Sequence, residues 1–162
     1  MRIFAQIGAA IVLAWTAAPA ASQTSDPNFG ACANKTGEEA IAGCTAAITS
    51  GKWGAPNLAI LFYNRGNAYF HQNDYARAIA DFNEAIRLNP QDAMAFYNRG
   101  TLYFHQNDYA RAIADYSEAI RLNPQIAKAF YNRGNAKKLI GETAEGEADI
   151  ARARVLDPNV GK

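Results

Sequence analysis

Three kinds of residue in this chain could do chemistry. An arginine stands before a glycine at Arg65, Arg99 and Arg133, and an aspartate follows each one sixteen residues later, at Asp81, Asp115 and Asp149. Such a pair could form a catalytic Arg–Asp site. Functional sites do not usually recur three times in one chain, so three structural, semi-buried ion pairs are expected instead. His71 and His105 are the only histidines, each followed by Gln-Asn-Asp. Two imidazoles with no third ligand beside them make a poor zinc site, and both are expected to be solvated helix ends. Cys32 and Cys44 are the only cysteines, and an isolated pair would bridge if the chain is exported to an oxidising compartment. Asn34-Lys35-Thr36 matches the glycosylation acceptor tripeptide, which is a weak signal. No nucleophile–base pair, metal set or phosphate loop is present, so no catalytic residue, no metal and no cofactor are expected.

These residues recur because the chain repeats itself. Residues 62–95 and 96–129 are 34-residue copies that differ at only six positions, and a third copy begins at Phe130 and then diverges. A fixed period of this length fixes the architecture before any local reading. Each copy reads as two helices. Phe62, Gly66, Tyr69 and Phe70 recur at helical spacing and end at Asn73-Asp74, where asparagine suits the left-handed conformation and aspartate caps the next helix. The second helix carries Tyr75, Ala78, Ile79, Phe82, Ala85 and Ile86 on one face and stops before Pro90.

The skeleton Phe62, Gly66, Tyr69, Ala78, Phe82, Ala85, Pro90 resembles the tetratricopeptide repeat. The second copy repeats it as Phe96, Gly100, Tyr103, Ala112, Tyr116, Ala119, Pro124. The third keeps Phe130, Gly134, Ile150, Ala153 and Pro158 but has Lys137 for tyrosine and Gly146 for alanine. The resemblance covers residues 59–158, as repeats of about 59–92, 93–126 and 127–158. It implies an all-α fold, a right-handed α-solenoid of antiparallel helix pairs.

It also implies a site. In tetratricopeptide proteins the first helices line a concave face, where partners lie as peptides or helices. Those positions here are Tyr63, Asn64, Asn67, Phe70 and His71, then Met94, Tyr97, Asn98, Thr101, Phe104 and His105, then Lys128, Tyr131, Asn132, Asn135 and Lys138. Asparagine amides suit bidentate bonding to a peptide backbone, and tyrosines add contact area at low entropic cost. Relatives that clamp the C-terminal carboxylate of chaperones use lysine, asparagine, asparagine, lysine and arginine. The matching positions are Tyr63, Asn67, Asn98, Lys128 and Asn132, which leaves one cation and argues against a chaperone clamp. The expected function is a protein- or peptide-binding adaptor. The alternative is a structural module whose groove is filled by its own chain or by a second copy.

Ahead of the repeats, residues 1–20 hold Arg2, an apolar run through Trp15 and Ala18-Pro19-Ala20, the pattern of a secretory signal cleaved after Ala20. An exported, periplasmic or secreted protein follows, with no stable membrane insertion. The polar stretch from Ser22 to Asn28 argues against a lipid anchor on Cys32. Losing Arg2 leaves 15 basic and 15 acidic side chains, which gives no electrostatic footprint for nucleic acid.

Residues 21–58 then form an arm, a partial repeat and a loop. Ala40-Ile41-Ala42 aligns with Ala78-Ile79-Ala80, so Cys44 falls where Phe82 sits. Ser25 to Asn34 must supply the first arm of this hairpin, and residues 32–36 are expected to run back extended for the sulfurs to meet. The connection from Gly51 to Asn57 reads as a loop.

After Pro158 only residues 159–162 remain, read as a tail. The face that would meet a further repeat changes from Tyr109, Ile113, Tyr116, Ile120 to Thr143, Glu147, Ile150, Arg154. Ala148, Ala153 and Leu156 are expected to face inward. The third copy is therefore expected to cap the stack, and a monomer follows.

Overall fold

The computed structural model describes residues 26–162; the expected signal segment lies outside the described residues. Eight helices follow in order: α1 (Pro27–Asn34), α2 (Gly37–Thr49), α3 (Ala55–His71), α4 (Tyr75–Leu88), α5 (Ala93–His105), α6 (Tyr109–Leu122), α7 (Ala127–Leu139) and α8 (Thr143–Leu156). Consecutive helices pair as four antiparallel hairpins, and each hairpin packs on the next. Odd-numbered helices touch their odd neighbours, whereas even-numbered helices do not touch one another. The stack must therefore curve, with α1, α3, α5 and α7 on the inside. The chain is an all-α helical-repeat solenoid.

The turns form as the residues dictate. Asn73 and Asn107 adopt φ of 60°, and at the same position of the third copy Gly141 adopts 93°. Asp74 and Asp108 then accept hydrogen bonds from the backbone N–H of Arg77 and Arg111, each 3.1 Å long. Glu142 makes no such cap for α8. A cap of this kind contributes about 1 kcal/mol.

Close packing inside each hairpin needs the repeated glycine. A Cβ on Gly66 would lie 3.1 Å from the Phe82 ring, and one on Gly100 would lie 3.1 Å from Tyr116. In the third copy α7 and α8 approach further. A Cβ on either Gly134 or Gly146 would meet the other's carbonyl oxygen at 2.6 Å. Gly146 in place of alanine therefore marks closer packing of this hairpin.

Three sequence expectations change at the ends. Residues 32–34 are not extended: they are the last turn of α1, and only Lys35 and Thr36 are extended before Gly37 turns the chain at φ of 59°. The sulfurs meet because α1 lies directly on α2 at Gly43, where a Cβ would fall 2.6 Å from that of Ala31. The longer connection is loop only from Gly51 to Gly54, since Pro56 opens α3 in the first turn, where proline needs no N–H. Trp53 in this loop packs on Phe29 with ring centroids 4.9 Å apart, over the cluster of Cys32, Cys44, Ala47 and Leu61. Ala148 is exposed, matching Ala80 and Ala114 on the solvent side of their helices, while Ala153 is fully buried.

The C-terminal tail packs back on the third repeat. Val160 is buried, and Gly161, at φ of 79°, lies so close to the Tyr131 ring that a Cβ would overlap it.

Candidate groove on the concave face

The arginines are fully committed to structure. Arg65, Arg99 and Arg133 each donate two hydrogen bonds of 2.7–2.8 Å to the aspartate of their own hairpin. The remaining arm of each guanidinium reaches back to the preceding even helix: Thr45 at 3.0 Å, Asn83 at 2.7 Å and Ser117 at 3.1 Å. One planar fork thus ties three helices, which a lysine could not do. The aspartates are buried, at 5–8% exposure, so their charge needs this pairing. Hydrogen bonding to Asp81 and Asp115 raises Arg65 and Arg99 above the ordinary arginine value despite burial. Burial pushes Asp149 up, but Arg133 and Lys137, the latter 3.1 Å away, outweigh it and hold the carboxyl below its usual range.

The concave face is a ladder joined from repeat to repeat. Asn98 donates to Tyr63 Oη at 3.2 Å and to Asn67 Oδ1 at 2.9 Å. Asn132 donates to Tyr97 Oη at 3.3 Å. Asn98 has therefore spent both amide hydrogens inside the protein, leaving its carbonyl for a ligand. That narrows the bidentate role expected from its sequence, because rungs between helices satisfy the amide first. Thr101 stands where the first copy has Asn67; it donates to the Tyr97 carbonyl at 2.9 Å and accepts from Tyr116 Oη at 3.3 Å. The exchange of Asn67 for Thr101 thus goes with that of Phe82 for Tyr116. Burial raises the Tyr97 hydroxyl and pushes that of Tyr116 to about 12, so both stay protonated.

The other expected groove residues fall on the same face with different freedom. Phe70 packs on Tyr75 and on His105, whose ring stacks over Tyr75 at 5.8 Å. Phe104 packs edge-on against Tyr109 at 5.4 Å. Lys128 and Met94 are exposed. Asn64 and Asn135 are half-buried and make no side-chain hydrogen bond among the described residues. Tyr131 lies under Gly161, which closes that end of the groove. Ile60, at 47% exposure, stands one repeat before Met94 and joins it as an exposed apolar step. Counting back one period from Met94 would have found it.

At the other end, α1, α2 and α3 line an open pocket of about 380 Å³, with Cys32, Ala40 and Ala68 as its apolar floor and Asn64, Asn67 and His71 on its rim. The disulfide beside it joins Cys32 to Cys44 with Cα atoms 4.5 Å apart. Asn34, in the glycosylation tripeptide, ends α1 with its amide on the Gly30 carbonyl at 3.0 Å. Among the described residues, no three potential metal ligands cluster, and no helix is long and apolar enough to cross a membrane.

The family model described as tetratricopeptide repeat matches residues 63–127 and 106–159. Among solved structures, the Arabidopsis OM64 TPR domain is 26% identical, covering 67% of this chain and 89% of that one, with a TM-score of 0.65. The second TPR domain of human RPAP3, in complex with the HSP70 peptide SGPTIEEVD, is 30% identical, covering 67% and 90%, with a TM-score of 0.64. MamA, at 24% identity, covers 74% and 68% with a TM-score of 0.67 and shares the fold. No curated protein sequence matches the chain.

Proposed function

Because the chain belongs to the tetratricopeptide repeat family, we propose that it is a non-catalytic scaffold that holds a protein or extended peptide in the groove of α3, α5 and α7. The observation that carries this reading is the ladder itself. Tyr63, Asn67, Tyr97, Asn98 and Asn132 are locked by bonds between repeats yet keep part of their surface open to solvent. A face held this way loses little freedom on binding, which is what a recognition surface needs. Ile60 and Met94 supply apolar contact beside it, and Asn64 and Asn135 supply free amides. The RPAP3 domains solved with HSP90 and HSP70 peptides support a peptide as the kind of partner.

Acidic chaperone termini are not the ligand this groove favours. Of the five clamp positions only Lys128 is cationic, and Asn67 and Asn98 are bonded to each other. The arginines offer no catalytic function, since each is spent on a buried aspartate and a neighbouring helix. We further propose that the protein acts outside the cytoplasm, as a monomer without nucleic-acid partners; the leader-like residues 1–20, the cysteine pair, the balanced charge and the polar outer face of α8 support this reading.

A partner isolated by pull-down on the native protein, titrated calorimetrically against native protein and Asn135→Ala, tests the proposal. Asn135 has no internal bond to lose, so weaker binding with an unchanged melting curve supports the groove. Equal affinity moves the site off this face.

A further inference from the structure

The joint between the first two hairpins and the joint after it are built to one plan, but only the second is filled. At the second joint Leu102 of α5 is fully buried against Tyr69, Ala78 and Phe82, with Phe70 and Tyr75 packed around them. His105 stacks over the Tyr75 ring at 5.8 Å and lies 5.9 Å from that of Phe70. One repeat earlier, all three bulky positions are small. Ala68 stands for Leu102, Gly37 for Tyr75 and the bridged Cys32 for Phe70, while His71 remains where His105 would be. The register follows from Cys32 and Cys44, which lie twelve residues apart as Phe70 and Phe82 do.

The space those side chains would take is the pocket of about 380 Å³, bounded by Cys32, Gly37, Ala40, Asn64, Ala68 and His71. Its counterpart shows what the walls accept: a planar ring laid on an imidazole with an apolar floor beneath. Its rim differs in being polar, because Asn64 makes no side-chain hydrogen bond among the described residues and Asn67 has its Oδ1 engaged but its amide hydrogens free of partners.

We propose that this pocket is a binding site for an aromatic side chain, and that a tyrosine of the bound peptide seats there with its ring on His71 and its hydroxyl on the asparagine rim. The guest takes the place that Tyr75 fills from within one joint later. The two sites differ in origin: Tyr75 is built into the chain, whereas Gly37, at φ of 59°, cannot carry a ring without strain. The disulfide has a part in this, since it holds α1 against α2 where a phenylalanine would otherwise fill the cavity. The inference rests on the groove reading and adds to it a fixed end and a residue preference.

The test titrates p-cresol, the tyrosine side chain alone, into the full chain and follows methyl signals of Ala33, Ala40 and Ala68 and the His71 ring by NMR. Saturable shifts confined to these residues are expected. 4-Methylcyclohexanol, of the same outline but without a π face, should bind about three- to tenfold weaker. Ala68→Leu, which copies the filled joint, should abolish saturation and raise the melting temperature. Should that variant fold poorly, His71→Ala removes an exposed ring that stacks only on Phe70, and it should weaken p-cresol binding by a larger factor than 4-methylcyclohexanol binding. Shifts spread without saturation over other exposed aromatic residues, or p-cresol affinity within twofold of native in Ala68→Leu, would overturn the assignment. A groove that binds its partner while p-cresol fails sinks this proposal alone. Loss of the partner only on changing convex residues sinks the groove reading and leaves the pocket measurement standing.

Discussion

Hairpin α5/α6 is held by a bidentate Arg99–Asp115 pair, and Tyr116 fills the space beside Gly100. Hairpin α1/α2 has Pro27 and Gly43 at the heights of that pair and a disulfide at the height of the aromatic residue. The first solution is modular: each arginine also grips the preceding even helix, so closing one hairpin also joins it to its neighbour. The second is self-contained, as suits a terminal hairpin with no described repeat before it to grip. The difference teaches that the repeat needs a fixed helix-to-helix distance and not a fixed chemistry. It also explains why the groove's two ends are unlike, since the covalent closure leaves a cavity where the aromatic closure leaves none.

The comparison can be broken most severely at Arg99. Arg99→Met strands a buried carboxylate and frees Asn83, and should cost about 3–5 kcal/mol in urea unfolding, with much of it recovered on adding Asp115→Leu. A loss under about 1 kcal/mol, the size of a surface pair, would mean that the fork holds nothing. Reducing the disulfide, or changing both cysteines to serine, should cost about 3 kcal/mol. The loss should be local: amide exchange should speed up in α1 and α2 while α5 and α6 stay protected. Equal acceleration everywhere would show that the two closures are not independent.

Tyr97→Ala should weaken the partner by about 1–2 kcal/mol, as for interface residues outside the strongest anchors. Asn98→Ala should do the same and also cost about 1 kcal/mol of stability, because it cuts the rung to Tyr63 and Asn67. Unchanged stability in Asn98→Ala would show that the rung contributes nothing.

Acid sharpens the contrast in the third hairpin. A carboxyl held below its ordinary value stabilises the fold above that value of 3.8, and the contribution disappears as pH falls through the lower folded value. Protection of α7 and α8 should therefore be insensitive to pH from neutrality down to about 4 and fall below it. Loss already at pH 6 would assign the effect to another group. The smallest effect expected is on association: Glu147→Ile with Arg154→Ile should make light scattering concentration-dependent, and a natural protein already dimeric through α8 would refute the capping role.

The repeats were legible because their determinants are local or periodic. Gly66, Ala78 and Phe82 name their own neighbours by spacing, and Asn73-Asp74 carries its turn in its chemistry. The Arg–Asp pairs were legible because they recur in register. The third contact of each arginine was not, since its partner changes from threonine to asparagine to serine and only the joint geometry selects it. Helix α1 was hidden for the opposite reason: it lacks the repeat's marks, and Gly43, which lets it dock, looks like a helix breaker. The ladder residues could be named from the family's groove, but their mutual hydrogen bonds depend on how far successive odd helices are offset. The pocket arises from small residues on three different helices, Cys32, Gly37 and Ala68, so it exists only once the joint is assembled.

The claim that matters most is that the partner lies on the concave face. A photo-crosslinking amino acid at position 135, on α7, and another at position 114, exposed on α6, put it to a direct test in extract from cells that make the protein. The groove predicts a defined adduct from position 135 that excess unlabelled native protein competes away, with none from position 114. An adduct from position 114 alone would contradict it.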